Sequence, residues 1–167
     1  MADPQGSMPL EVRPAWRRGD PEIERDAIAF WNRLGLLPAS VRPEERAREL
    51  IAAAYLGGEL IAVSTATIEL IDFLGARFAV LRGATDPAHR RSRAQLALAV
   101  PSRRVLEEWA LAHPEEKLAG GIAAVDAADW GEFARLPVWP ESALTLIGYL
   151  PDGRQIRAAW FDHFRFD

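Results

Sequence analysis

The sequence predicts a mixed α/β fold, a mostly antiparallel central sheet with helices on both faces, in the order β-α-α-β-β-β-α-β-α-β-β. Three observations carry this prediction. Residues 60–67 (LIAVSTAT) are apolar at both parities and rich in β-branched side chains, as a strand covered on each face must be. Ile23, Ala27, Phe30, Trp31 and Leu34 recur at helical spacing and form one apolar stripe. Two short strand-like runs, 144–149 and 155–161, flank Pro151, Asp152 and Gly153, with proline where a type I turn favours it. Local hairpins mixed with helical crossovers point to a mixed sheet.

The 167 residues, 49% hydrophobic and 26% charged, suffice for one core of ordinary size. Residues 1–9 read as a disordered lead or an expression remnant, with Met8 an alternative start, and residues 10–167 as a single domain. Twenty Lys and Arg against twenty-four Asp and Glu give a net charge of −4, so any affinity for anions must be local. The absence of cysteine excludes disulfide scaffolds, thiolate nucleophiles and Cys-ligated metal centres. No apolar run approaches a membrane span and no signal-peptide pattern opens the chain; a soluble, cytoplasmic protein is expected.

Residues 10–15 alternate as a strand whose Pro14 confines it to an edge or a strand end. Asp20, Pro21 and Glu22 mark a helix start, and Gly35 supplies its left-handed stop. A second helix is predicted from Pro43 through Ala54, ended by Gly57 and Gly58, because Ala47, Leu50, Ile51 and Ala54 share a face. After the strand at 60–67, residues 68–72 continue as a neighbouring strand and 77–85 form another. Residues 94–112 are helix formers, bent or divided at Pro101. Residues 118–125 read as a buried strand with two glycines, and 126–142 as a short helix at most within an aromatic-rich loop.

The chemistry concentrates between residues 82 and 104. Six arginines (82, 90, 91, 93, 103 and 104) stand there against the one acid Asp86, an excess of five in a chain that is negative overall. The densest part, residues 89–93 (HRRSR), lies between a strand end and a helix start, where free amides and the helix dipole favour an anion and guanidinium groups add bidentate contacts to phosphate. The competing reading is a solvated basic turn balancing Glu107, Glu108, Glu115 and Glu116.

Residues 85–96 (TDPAHRRSRAQL) resemble the cofactor loop of the GNAT superfamily of N-acetyltransferases, a run of the form V-x-P-x-(aromatic or His)-R-(G/R)-x-G-x-(G/A)-x-x-L. The order of elements from residue 10 to 161 is similar as well, although only this stretch is motif-like. The resemblance implies an acyl-CoA-dependent N-acyltransferase using acetyl-CoA or another acyl-CoA as co-substrate, without metal, on a small-molecule or peptide amine. It implies that Arg90, Arg91, Ser92, Arg93 and Ala94 hold the cofactor's phosphates, and that Gly83, Ala84 and Thr85 offer strand-end backbone to the pantetheine. The motif's two glycines fall on Ser92 or Arg93 and on Ala94 or Gln95, depending on register.

Acyl transfer to an amine needs a base and donors that polarise the carbonyl. By the same resemblance, Tyr149 is the candidate acid for the leaving thiolate. Glu69 is the candidate base, with Asp72 and Asp86 as further acids; all three also read as solvated surface charges. His89, His113 and His163 have no metal-ligand spacing, so no metal is expected. Trp130 and Trp139 are candidates for a pocket wall, whereas Trp31, Trp109 and Tyr55 read as packing. A second reading keeps the fold but drops turnover, leaving a binding or regulatory module. Nucleic-acid contact is disfavoured, since the basic segment lacks interleaved aromatics. A free edge at 155–161 leaves room for a homodimer through the sheet.

Overall fold

The computed structural model describes residues 9–166, apart from the side chains of Arg91 and Ser92. The N-terminal lead therefore lies largely outside the described residues. Strand β1 (Leu10–Pro14) leads to helix α1 (Pro21–Leu34), whose start is fixed by Asp20: one carboxylate oxygen accepts the N–H groups of Glu22 and Ile23 at 3.0 and 3.3 Å. Gly35 ends the helix at φ 60°.

The second helix is where the sequence reading fails. Helix α2 is only Pro43–Ala47, and Leu50–Leu56 is strand β2, the partner of both β1 and the next strand. Residues 50–55 are all buried, so every position is apolar and a helical stripe fits by default. Strand β3 (Glu59–Ile71) runs unbroken through what the sequence divides into two strands, and β4 (Ala76–Thr85) returns beside it along its whole length.

Helix α3 (Ala94–Ala112) passes through Pro101 as one element. Strand β5 (Leu118–Val125), helix α4 (Ala127–Trp130), strand β6 (Thr145–Tyr149) and strand β7 (Gln155–Trp160) complete the order. The sheet order is β1-β2-β3-β4-β5-β7-β6, antiparallel throughout except for the parallel β4–β5 pair. Strand β7 is paired on both sides, so the proposed free edge at 155–161 is absent; the outer strands are β1 and β6.

One face of the sheet is covered by α1, whose Ile23, Ala27, Phe30 and Trp31 pack on Ala53, Tyr55 and Val63. The other is covered by α3, whose Leu106 and Ala110 meet Ile51, Ala66, Ala79 and Leu118 while Leu98 meets Ile61. Between β5 and β7 the backbones are so close that a Cβ on Gly120 would run into the carbonyl of Ala159, so this ladder requires glycine there.

Candidate functional site

The site is made by a divergence of strands. β4 and β5 pair from Arg77 opposite Leu118 to Leu81 opposite Ala123; beyond that, residues 82–85 pair only with β3, and Ala124 and Val125 only with β7. A parallel pair that opens at its carboxyl ends leaves a crevice, which is where sheets of this kind take ligands. A cavity of about 730 Å³ occupies it, between α3 on one side and α4 with the following aromatic loop on the other.

At its mouth the chain turns from β4 into α3. Asp86 caps that turn, one carboxylate oxygen accepting the Ala88 N–H at 2.9 Å and the other an Arg33 N–H at 3.0 Å. The Ala88 amide and then Arg33 hold its carboxyl below the usual carboxylate range, against burial, so Asp86 is engaged as a structural anion. Arg93 immediately precedes α3 with φ 57°, the left-handed conformation that glycine adopts freely.

Arg90 and Arg93 are exposed, line the cavity and have no ion pair among the described residues. Three other lining arginines are engaged: Arg82 lies 3.7 Å from Glu69 and 3.9 Å from Glu49, Arg103 donates to the Ser142 and Trp160 carbonyls, and Arg154 pairs with Asp152 at 2.8 Å. The Thr85 hydroxyl, also on the wall, is buried without a hydrogen-bond partner. The Arg91 and Ser92 side chains are outside the described residues.

Gln95 is a feature the sequence reading missed. Its amide nitrogen donates to the carbonyls of Ala84 at 2.8 Å and Val63 at 3.2 Å, lying directly over Gly83. A Cβ on Gly83 would collide with the Gln95 side chain, so the glycine makes room for the amide. The paired signal was a glycine near the strand end and a glutamine in the next helix's first turn.

The opposite wall is aromatic. Trp130 and Trp139 are stacked at a tilt, 4.3 Å between ring centres, and the Trp139 indole donates to the Phe133 carbonyl at 2.7 Å. Behind them Arg157 is fully buried. It donates to the carbonyls of Ala134, Leu136 and Leu144 and to the Gln155 side chain. An arginine facing the same way as Gln155 and Ala159 in a buried strand was the available clue.

The candidate acid and base sit elsewhere. Tyr149 is 62% exposed on β6, outside the cavity lining. Glu69 is exposed on β3 and reaches the cavity only through Arg82, while Thr67 donates to it at 2.6 Å. The lining carboxylates are Asp126, which caps α4 through the Ala128 N–H, and Asp129. Tyr55 is buried beneath α1 and donates to Asp26 at 3.0 Å; burial, then that bond, raises its pKa above the ordinary phenol range. Among the described residues no His, Asp and Glu group could hold a metal, and no helix is long and apolar enough to cross a membrane.

No protein-family model and no curated protein matches the sequence. Solved structures do match. An acetyltransferase of GNAT family from Streptococcus pneumoniae aligns over 92% of this chain and 99% of its own at 14% identity, TM-score 0.55. The GNAT domain of S. lividans PAT covers 91% and 90% at 15% identity, TM-score 0.56. The yncA protein of Salmonella typhimurium, solved with its cofactor acetyl-CoA, covers 95% and 98% at 12% identity, TM-score 0.57.

Proposed function

We propose that this chain, whose fold is that of the GNAT acetyltransferases, binds an acyl-CoA in the β4–β5 crevice and transfers the acyl group to an amine. The observation that carries the reading is the pair of unengaged guanidiniums, Arg90 and Arg93, on the mouth of a cavity that opens between diverging strands. Two flexible cations beside the start of a long helix suit a pyrophosphate. The unpartnered Thr85 hydroxyl offers a further hydrogen bond on the same wall. Ala94 and the backbone of Gly83 and Ala84 complete the phosphate and pantetheine side, together with Arg91 and Ser92.

For the transfer, the amine must lose a proton and the thiolate must leave. Glu69 keeps its place as the base in this reading because its carboxylate lies against Arg82, a cavity residue. Tyr149, which stands outside the lining, keeps its place as the acid. Glu69→Gln and Tyr149→Phe test the two roles separately, by turnover with an amine panel at fixed acetyl-CoA.

A second reading, binding without turnover, is favoured by the candidate acid and base, since neither Tyr149 nor Glu69 lines the cavity. Thermal unfolding with free CoA, acetyl-CoA and a control nucleotide tests the binding that both share. A midpoint raised by the CoA species and not by the nucleotide, and lost in the Arg90→Ala, Arg93→Ala double variant, supports it; no shift refutes it.

A further inference from the structure

The two faces of the sheet differ where β4 and β5 part. Cross-strand partners share a face, so the ladders place Thr67, Glu69, Val80 and Arg82 on the side opposite α3, with Ala124 of β5 and Ile156 of β7. Arg82 and Ala124 are the first residues past the last β4–β5 pair, and both are exposed. Helix α1 packs on β2 and β3 of this side. The apolar layer that continues across β4, β5 and β7, centred on Phe78, Ile122 and Ala158, contains no helix residue among the described residues. Val80 and Ile156 are only partly buried in it, and Ile156 pairs with Ala124. Three neighbouring strands thus present an open apolar floor about 10 Å wide, two strand spacings, at the parting of β4 and β5.

The floor borders the carboxylate given above as the base. Thr67, opposite Val80, donates to Glu69 at 2.6 Å, while Arg82 donates to the Thr67 hydroxyl at 3.2 Å and lies 3.7 Å from Glu69. A second carboxylate, Glu49, is held by Arg46 at 2.9 Å and lies 3.9 Å from Arg82. Between this polar strip and Ile156 the floor carries no polar side chain. A further ammonium or carboxylate on an incoming amine would lie on Val80, Ala124 and Ile156 without a partner, whereas hydrocarbon leaves water there.

We infer that the acceptor is a primary amine carried on a compact apolar body, a branched alkyl or arylalkyl group, which lies on Val80, Ala124 and Ile156 with its nitrogen toward Glu69 and the crevice. The inference rests on the acyl-transfer reading above and adds the acceptor's class. The step balances within that reading: the thioester C–S bond breaks, the amide C–N bond forms, and the proton that the neutral amine loses is matched by the one that ends on the thiolate.

Release of free thiol from acetyl-CoA by the full chain, with isopentylamine, ethylamine, putrescine and glycine as acceptors, tests it. Isopentylamine matches ethylamine in basicity and adds three carbons, each worth up to about fourfold when buried, so its kcat/KM is expected to exceed that of ethylamine at least tenfold. Ala124→Asp, at an exposed position, and Ile156→Thr, which keeps a β-branched side chain in its strand, are each expected to lower the isopentylamine to ethylamine ratio about threefold or more. Equal kcat/KM for the four amines, or a preference for putrescine or glycine, overturns the acceptor class and leaves the acyl-transfer reading standing. A preference for isopentylamine that neither variant alters overturns the floor as its seat. A dimer in sedimentation that Ala124→Asp dissociates assigns the floor to a second copy of the chain and overturns the proposal. Acetyl-CoA binding in thermal unfolding with no thiol released by any amine refutes the transfer and the acceptor together.

Discussion

The guanidinium of Arg157 lies 4.7 Å from the centre of the Trp139 ring, with its nitrogens directed to three main-chain carbonyls of the loop that carries that tryptophan. Burial lowers the Arg157 pKa, with Tyr149 acting the other way, yet a guanidinium keeps its proton in proteins. The charge is therefore held in the interior by carbonyl dipoles and an aromatic face, and it fixes the wall of the cavity.

Replacing Arg157 by Met keeps much of the volume and removes every donor. The Leu136 carbonyl and the Gln155 side-chain oxygen then lose their Arg157 donor, while Ala134 still accepts from Gln155 and Leu144 from the Trp139 N–H, and a loss of roughly 2–4 kcal/mol is expected in urea unfolding. The Trp130 and Trp139 rings are close enough to couple, so near-ultraviolet and far-ultraviolet circular dichroism should show their exciton signal collapse while the sheet signal persists. Unchanged stability together with an unchanged couplet would show that the loop holds itself.

Gly83 and Gln95 should behave as one unit. Gly83→Ala forces the Gln95 amide off the Ala84 and Val63 carbonyls and is expected to destabilise by about 1–2 kcal/mol. In a Gln95→Ala background the same substitution should be nearly neutral. Additive effects in the double-mutant cycle would contradict the collision.

Arg93→Gly should separate stability from binding. A non-glycine residue at φ 57° carries a penalty of about 1 kcal/mol, part of which glycine recovers after its greater freedom in the unfolded chain. The melting midpoint of the free protein is expected to rise slightly while affinity for free CoA falls. A lower midpoint would mean that the Arg93 side chain holds the turn by itself.

Asp86 gives the acid limb of stability its direction. Its pKa is lowered in the folded state, by the Ala88 amide and then by Arg33, so the folded protein binds this proton less readily than the unfolded chain. The contribution is complete above the unfolded value of about 3.9 and is lost as pH falls through the folded value. Asp86→Asn should therefore be less stable than wild type at pH 7, and the two should converge below about pH 4. Parallel curves down to pH 3 would exclude the carboxylate as the cause.

The elements with chemical punctuation were legible in the sequence. Asp20 and Gly35 bracket α1, and Gly153 turns the last hairpin, because a cap or a left-handed residue acts on its neighbours alone. Strand β2 was not legible. Nothing between Ala47 and Leu50 announces a stop, Arg48 remains in a helical conformation, and alanines suit a helix as well as a strand buried on both faces. For the site, the arginine turn stood out because charge is conspicuous in sequence. The opposite wall did not, since Arg157 meets Ala134 and Trp139 only after the sheet has brought residues more than fifteen positions apart together.

The parallel contact between β4 and β5 divides the sheet into two antiparallel blocks, β1 to β4 and β5 to β7 with β6. Across that seam the ladder is five register pairs long, and α3 lies over it like a splint. A molecule seated in the crevice touches both blocks at once, so it acts as a clasp as well as a guest. Its grip should be felt far from the contact surface, as slower hydrogen exchange along both halves of the sheet.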